Sequence, residues 1–213
     1  MITFEGITLL AHQKTLLKNT NLQIEPGDKV VLHGPSGCGK SSLLKCVIGA
    51  IPLADGTIQV DGLTLSAETI TEIRGRIAYI GQEPKLGAQR VEDALLLPFS
   101  FKAHRHNQPS KGRVQELLQR LRLSRDILEK PSAQISGGEK QRIAVARALL
   151  LDKSIFLADE ITSALDPDSR SAVIEELFRP DITLLSVSHD PIWIEKADRK
   201  IEIQNQKLLE TQP

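Results

Sequence analysis

The sequence predicts an α/β fold with a mainly parallel sheet core, antiparallel strands near the N-terminus and an inserted helical lobe. Up to about Gln82, short segments alternate apolar and polar residues between glycine-rich turns, as strands do. From about Val91 to Lys130 the apolar spacing is helical, and after Ser136 helices and strands alternate along the chain. We therefore expect one domain over residues 1–213, with a core of residues 1–82 and 136–213 and a helical lobe of residues 83–135.

The individual elements follow from these patterns. Alternation or a short apolar run predicts strands at residues 2–6, 21–24, 30–33, 57–60, 77–80, 154–158 and 183–187. Helices are expected at residues 42–48, 140–151 and 167–178, and within the lobe, where Val114, Leu117, Leu118 and Leu121 recur at helical spacing. The polar stretch 104–112 is too poor in apolar side chains to pack, so we expect an exposed loop there.

Composition narrows the classes of function. The chain carries 27 basic and 27 acidic side chains, so no net charge attracts nucleic acid, and we expect no nucleic-acid partner. No apolar run approaches the roughly 20 residues that cross a bilayer, so any membrane function would come from a partner. The N-terminus lacks the pattern of a secretory signal, and the two cysteines suggest no disulfide framework. We expect a cytoplasmic protein.

A glycine-rich motif fits the pattern G-x-x-x-x-G-K-[ST] between the strand at residues 30–33 and the helix that follows. Its residues are Gly34, Pro35, Ser36, Gly37, Cys38, Gly39, Lys40 and Ser41. Backbone N–H groups of such a loop, here those of Gly37, Gly39 and Ser42, converge on phosphate oxygens at a helix N-terminus. We expect Lys40 to reach the β- and γ-phosphates of a nucleotide and Ser41 to place its hydroxyl on Mg²⁺. The alternative is a glycine-rich turn whose lysine is merely solvated.

An acidic pair ends the apolar strand after the helical lobe. The stretch Ile-Phe-Leu-Ala-Asp-Glu at residues 155–160 predicts a buried parallel strand followed by carboxylates. In a site of this kind, Asp159 would approach Mg²⁺ through water, and Glu160 would polarise the attacking water as a general base. Acids after a strand also cap helices, so the assignment depends on the glycine-rich motif upstream.

A third motif, Ile-Ser-Gly-Gly-Glu-Lys-Gln-Arg at residues 135–142, decides the class. It resembles the signature of the ABC (ATP-binding cassette) ATPase family, L-S-G-G-[EQ]-x-Q-R, and departs from it only by Ile135 in place of Leu. Ser136 and Glu139 also form the pattern of a capping box, while Gly137 and Gly138 allow close backbone approach. An ordinary capped surface helix would explain Ser136 and Glu139 but not the two glycines.

The resemblance implies a P-loop NTPase of ABC type that binds ATP with Mg²⁺ and couples its hydrolysis to transmembrane transport. In the family, the signature of one subunit closes on the ATP held by the other. It therefore implies a head-to-tail homodimer with two ATP molecules at the interface, where Ser136, Gly137, Gly138 and Glu139 complete the partner's site. The family also works with separate integral membrane subunits, so this chain is expected on the inner face of the cell membrane.

Further positions match the family in order along the chain. Gln82, after the strand at residues 77–80, matches the glutamine that touches Mg²⁺ and the attacking water. Residues 163–166 match the loop that crosses the dimer interface, and Asp166 before Pro167 also reads as a helix N-cap. His189 matches the histidine that holds the γ-phosphate and orients the water with Glu160.

Two features leave alternatives open. The family usually stacks an aromatic side chain on adenine, whereas this chain offers Leu9 or Leu10 as an apolar contact, or His12 as a weaker stack. Residues 91–99 and 159–166 resemble the bacterial iron-export (Fet-type) subfamily, which implies iron as the cargo. An ABC ATPase for another substrate and a P-loop ATPase outside transport are the alternatives.

Overall fold

The computed structural model of the protein describes residues 1–11 and 14–211, in two compact units. The first unit takes its described residues from Met1–Ile77, Ser154–Glu160 and Pro180–Pro213, and the second from Ala78–Lys153 and Ile161–Arg179. In chain order the elements are β1 (Ile2–Ala11), β2 (Lys14–Ile24), β3 (Lys29–His33), α1 (Lys40–Val47), β4 (Asp55–Val60), β5 (Leu63–Thr64), α2 (Ile70–Arg76), β6 (Ile77–Ile80), α3 (Val91–Leu96), α4 (Lys111–Arg120), α5 (Gly137–Leu149), β7 (Ile155–Asp159), α6 (Pro167–Leu177), β8 (Thr183–Val187), α7 (Pro191–Lys196), β9 (Arg199–Gln204) and β10 (Lys207–Thr211). Short 3₁₀ helices cover Leu97–Ser100 and Arg125–Glu129.

The antiparallel sheet of the first unit has the strand order β2-β1-β4-β5, as expected near the N-terminus. Along β1 the side chains of Ile2, Phe4, Ile7 and Leu9 are buried, which is the alternation of a strand with one covered face. The register shifts between Phe4 and Ile7, and the strand then continues to Ala11, beyond the predicted end at residue 6.

The parallel sheet of the first unit has the order β10-β9-β3-β8-β7, and within it only the pairing of β10 with β9 is antiparallel. All residues of β7 and β8 are buried, as expected for strands covered on both faces. Helix α1 packs on these two strands with its buried apolar face. Because β3, β7 and β8 are parallel, their carboxyl ends meet at one edge of the sheet, where residues 34, 160 and 188 follow.

The second unit consists mainly of helices. Its longest helix, α5, is buried through Ile143, Val145 and Ala146, and contacts α3, α4 and α6. The predicted lobe, residues 83–135, lies within this unit, which also includes residues 136–153 and 161–179.

Several other boundaries also differ from the expected ones, among them those of α4, α5 and β7. Helix α4 begins at Lys111, inside the stretch expected to be a loop, because the Ser110 hydroxyl accepts the N–H of Arg113 at 3.2 Å and caps the helix. Helix α5 begins at Gly137, three residues before the expected start, and β7 is displaced by one residue.

Among the described residues, no helix is both long and apolar enough to cross a membrane. Cys38 and Cys46 are both free thiols.

Candidate nucleotide site

The glycine-rich motif lies in the first unit, between β3 and α1. Residues 34–38 form the turn, Gly39 is the N-cap of α1, and Lys40, Ser41 and Ser42 form its first turn. A Cβ atom at Gly34, where φ is +132°, would lie 2.9 Å from the carbonyl oxygen of Ile203, so only glycine fits. The chain thus passes through a compact turn into a helix N-terminus, an arrangement that binds phosphate groups.

Lys40 is buried in this turn, with 5% of its surface exposed. Its ammonium group donates to the carbonyl oxygens of Gly34 at 2.9 Å and Pro35 at 3.0 Å, and the Cys38 sulfur lies 4.0 Å away. The positive charge therefore lies inside the loop that the motif assigns to phosphate.

Ser41 and Asp159 are in direct contact. The Ser41 hydroxyl donates to Oδ1 of Asp159 at 2.7 Å, and this carboxylate, at the end of β7, is only 3% exposed. The pair brings together a hydroxyl and a carboxylate oxygen from two distant parts of the sequence. Mg²⁺ prefers hard oxygen ligands of this kind, so the residues present fit the ion.

Glu160 and His189 follow the adjacent strands β7 and β8. The Glu160 N–H donates to the carbonyl oxygen of Val187 at 2.9 Å, and its φ of +49° is uncommon for a residue other than glycine. Oε1 of Glu160 lies 3.7 Å from Nε2 of His189, and the two side chains are 26% and 54% exposed. The first unit thus holds a solvent-accessible carboxylate and imidazole at the sheet edge that also carries Asp159.

A hydrogen-bonded chain close to His189 in the sequence had not been predicted. The indole N–H of Trp193, in α7, donates to the Ser186 hydroxyl at 2.9 Å, and this hydroxyl donates to the carbonyl oxygen of Val30 at 3.1 Å. Ser186 and Trp193 are each 1% exposed. These two hydrogen bonds therefore connect α7, β8 and β3, and His189 lies between β8 and α7 in the sequence. The single Trp of the sequence was the available signal, since a buried indole needs an acceptor.

The predicted signature residues lie in the second unit, at the start of α5. Ser136 is the N-cap: its hydroxyl accepts the Glu139 N–H at 3.1 Å, and its own N–H donates to the Glu139 carboxylate at 2.7 Å. These two bonds confirm the predicted capping box. The bond from the Ser136 N–H holds the pKa of Glu139 below its usual value, because it favours the charged form.

Gly138 packs against the loop that precedes α6. A Cβ atom at this position would lie 2.9 Å from the carbonyl oxygen of Ala164, so the signature turn and residues 163–166 approach more closely than any side chain allows. Asp166 is the N-cap of α6, as predicted, and its carboxylate accepts the Ser169 N–H at 2.9 Å. The predicted interface loop and the signature therefore lie side by side within the second unit.

The remaining predicted residues are distributed as follows. Gln82 is exposed and belongs to the second unit, next to Gly81, whose carbonyl oxygen accepts the side-chain N–H of Gln141 at 3.4 Å. Of the candidates for adenine contact, Leu9 is fully buried whereas Leu10 is 45% exposed, which leaves Leu10 the more accessible. His12 lies outside the described residues.

Comparisons with known proteins agree with this geometry. A family model described as ABC transporter matches residues 17–163. The probable iron export ATP-binding protein FetA of Escherichia coli K12 is 36% identical over 208 residues, covering 96% of this chain and 91% of the relative. The glutamate/aspartate import ATP-binding protein GltL of the same strain is 33% identical over 220 aligned positions, covering 100% and 91%.

A solved structure has the same fold over the whole chain. The ATP-binding cassette MJ0796, in a dimeric post-hydrolysis state bound to ADP and Pi, superposes with a TM-score of 0.86 at 27% identity, covering 100% of this chain and 98% of that one. The matched family range includes the glycine-rich turn, the signature and the acidic pair after β7. The chain therefore belongs to the ABC transporter family, as an ATP-binding subunit.

Proposed function

We propose that this chain hydrolyses ATP to ADP and phosphate and that the hydrolysis powers transport through separate integral membrane subunits. The observation that carries the proposal is the contact of Ser41 with Asp159 at 2.7 Å, at the sheet edge where Glu160 and His189 also lie. A hydroxyl, two carboxylates, an imidazole and a buried lysine beside a helix N-terminus are the parts that phosphoryl transfer to water requires.

Each residue has a proposed part in the reaction. Lys40, held inside the glycine-rich turn, compensates the charge of the phosphate groups. Glu160 accepts the proton of the attacking water as the general base, and His189 holds the γ-phosphate and helps to orient that water. Gln82 is proposed to contact the same water, as the match to the family's glutamine implies.

Ser41, Asp159 and Gln82 are the residues proposed to hold Mg²⁺. When bound, the ion would neutralise negative charge on the β- and γ-phosphates. The hydroxyl and the carboxylate already lie together, so binding the ion would require exchange of their mutual hydrogen bond rather than a new arrangement of the strand.

The proposed working form is a head-to-tail homodimer with two ATP molecules at the interface. Ser136–Glu139 of one subunit would complete the site of the other, because they form a second helix N-terminus suited to an anion. The dimeric state of the MJ0796 cassette supports this assembly. With no span of its own among the described helices, the chain would act on the inner face of the cell membrane beside its membrane subunits. Its zero net charge favours no nucleic-acid partner.

A substitution at the general base tests the reaction and the dimer together. Glu160→Gln removes the base but keeps the shape, so ATPase activity should fall at least about 100-fold while ATP binding persists. Gel filtration with ATP and Mg²⁺ should then detect a dimer that forms poorly without ATP. Lys40→Ala is the control, since it should lose ATP binding itself. A Glu160→Gln protein that binds ATP but stays monomeric at every concentration would contradict the dimer.

Iron export is the proposed cargo assignment, on the likeness to FetA. Deletion of the gene should raise the iron content of whole cells and lower their tolerance of added iron. Wild-type protein should restore both values, whereas Glu160→Gln should not. Unchanged iron content would refute iron as cargo and favour another substrate, as the relative named for glutamate and aspartate import illustrates.

A further inference from the structure

Arg147 of α5 binds three backbone carbonyls in the segment that follows Gln82. One terminal nitrogen donates to the carbonyl oxygens of Leu86 at 3.0 Å and Ala94 at 3.4 Å, and the other donates to that of Lys85 at 3.1 Å. The guanidinium is partly buried, and this burial lowers the pKa of Arg147. The side chain therefore fixes the path of the backbone, irrespective of which side chains that segment carries.

Two further contacts hold the same segment on its upstream and lobe sides. The amide of Gln141, 2% exposed and also in α5, donates to the carbonyl oxygen of Gly81 at 3.4 Å. The N–H of Ser132, shortly before the signature, donates to the carbonyl oxygen of Gln89 at 2.7 Å. Residues 81–94, here called the Gln82 segment, are thus bound by two side chains of α5 and by the backbone of Ser132.

The chemistry of arginine suits this task. Its planar guanidinium presents several donors in a rigid fork, so one side chain binds carbonyls from both Lys85–Leu86 and Ala94 of α3 with less entropy lost per hydrogen bond. A lysine would offer a single flexible point charge in the same place. Gln82 itself lies between Gly81, bound by Gln141, and Lys85, bound by Arg147.

We propose that Arg147 is a positioning residue for Gln82. Together with Gln141 it holds the Gln82 segment on α5, so Gln82 and the signature turn at Ser136 move as one body. The inference rests on the proposed function, since it concerns how the chain holds a residue assigned to the hydrolytic water. It adds Arg147 and Gln141, which bind the backbone around Gln82, to the residues proposed to govern the rate of hydrolysis.

A double-mutant cycle between Arg147 and Gln82 tests the proposal. Arg147→Met keeps the apolar stem but removes every donor, and should lower kcat about 10- to 100-fold, as loss of a supporting contact does, while the KM for ATP changes little. In a Gln82→Ala background the same substitution should change kcat by less than about twofold, because the residue it positions is gone. The kcat of Arg147→Lys should lie between those of wild type and Arg147→Met.

Arg113→Met is the matched control. It removes another arginine of the second unit, one that pairs with the exposed Asp152, and should leave kcat within about twofold of wild type. If Arg147→Met fails to fold, Arg147→Lys and Gln141→Leu replace it in the same cycle.

The possible outcomes separate the two proposals. Equal losses from the Arg147 substitution with and without Gln82 would overturn the positioning role, as would a Gln82→Ala protein with unchanged kcat. Neither result would affect the ATPase assignment, provided that Lys40→Ala and Glu160→Gln are inactive. An active Lys40→Ala protein, by contrast, would refute the proposed function itself.

Discussion

Glu160 combines an unusual backbone conformation with a partly exposed side chain. Its φ of +49° costs about 1–3 kcal/mol for a residue of this type, and such strain persists where the surroundings fix it. One contact that fixes it is the hydrogen bond from the Glu160 N–H to the carbonyl oxygen of Val187 in the neighbouring strand. The strained backbone turns the chain sharply after Asp159, so two consecutive carboxylates take different environments: Asp159 is buried against Ser41, and Glu160 faces His189 and solvent.

The two cysteines should differ sharply in reactivity. Burial raises the pKa of the Cys46 thiol to about 11, so at pH 8 only about one molecule in a thousand carries the reactive thiolate. Cys38 lies partly exposed in the glycine-rich turn. We expect iodoacetamide at pH 8 to modify Cys38 well before Cys46, as measured by mass spectrometry of peptides over time.

Bound nucleotide offers a check on this assignment. ATP should slow the alkylation of Cys38, because the reagent and the phosphate groups would compete for the same turn. The Cys38→Ala protein is the control and should take up reagent only at the slow rate of Cys46. Faster labelling of Cys46 than of Cys38 in native protein would contradict the burial of the Cys46 thiol.

At the scale of elements, polar side chains along α5 bind several other parts of the second unit. Its N-terminus forms the capping box, Arg142 donates to the carbonyl oxygens of Leu121 and Arg122 after α4, and Arg147 binds the Gln82 segment. The helix therefore fixes two separate stretches of chain, residues 121–122 and the Gln82 segment, through backbone acceptors. Its apolar face packs on α3, α4 and α6.

The charge of Glu139 should stabilise this helix in a pH-dependent way. Because its pKa is lowered in the folded protein, the ionised carboxylate favours folding above its unfolded pKa of about 4.3, and the benefit disappears as the pH falls through the folded pKa. Glu139→Gln keeps the capping geometry without the charge. Urea unfolding at pH 7 should find the variant less stable by about 0.3–1 kcal/mol, at the lower end if solvent screens the charge.

The same measurement below pH 4 should find the difference between wild type and Glu139→Gln reduced towards zero. Glu175→Gln is a suitable control, because this substitution removes a carboxylate from the second unit outside any helix N-terminus. A stability difference that stays constant from pH 7 downwards would refute the electrostatic contribution of Glu139.

The elements that could be predicted are those whose own residues carry a distinctive pattern. Strands β3, β7 and β8 are apolar runs. The starts of α5 and α6 are indicated by the capping residues Ser136, Glu139 and Asp166. Strand β9 has only Ile201 and Ile203 as buried apolar residues among charged neighbours, and α7 spans only 6 residues, too short for a helical period. Both were missed.

In the candidate site, too, residues in local motifs can be predicted from the sequence, whereas contacts between distant segments cannot. Lys40, Ser41 and Asp159 belong to motifs whose residue types suit the chemistry of phosphate and Mg²⁺, so the sequence alone predicts them as site residues. The contacts of Arg147 could not be read from the sequence, because a backbone carbonyl is the same acceptor whatever the residue. The Ser186–Trp193 bond joins two elements whose pairing only the folded sheet defines.

At the scale of the whole molecule, the order of segments along the chain interleaves the two units. In the sequence, β3 precedes the second unit, β7 lies between the two segments of that unit, and β8 and β9 follow it. The parallel sheet of the first unit is therefore incomplete until nearly the whole chain is present. The two C-terminal strands should contribute differently to stability. Strand β9 is an inner strand between β3 and β10, whereas β10 is an edge strand that pairs only with β9 in the sheet order.

Two truncations should distinguish the contributions of β9 and β10 to stability. A chain that stops after Gln204 keeps β9, so we expect it to fold with a lowered Tm, having lost β10 and the ion pair of Arg199 with Glu210. A chain that stops after Asp198 loses Ile201 and Ile203, each 1% exposed, which contribute about 1.5–3 kcal/mol apiece by burial. It also loses the parallel ladder to β3. Since total stability is about 5–15 kcal/mol, this shorter chain should not fold.

Far-ultraviolet circular dichroism with thermal melting distinguishes the outcomes, and ATP binding reports on the glycine-rich turn. Gly34 adds a specific reason for the second loss, since its backbone lies against the carbonyl oxygen of Ile203 in β9. We therefore expect the chain ending at Gln204 to retain ATP binding and the chain ending at Asp198 to lose it together with its melting transition. A chain ending at Asp198 that melts cooperatively and binds ATP would mean that β3 needs no neighbour on its β9 side to hold the turn.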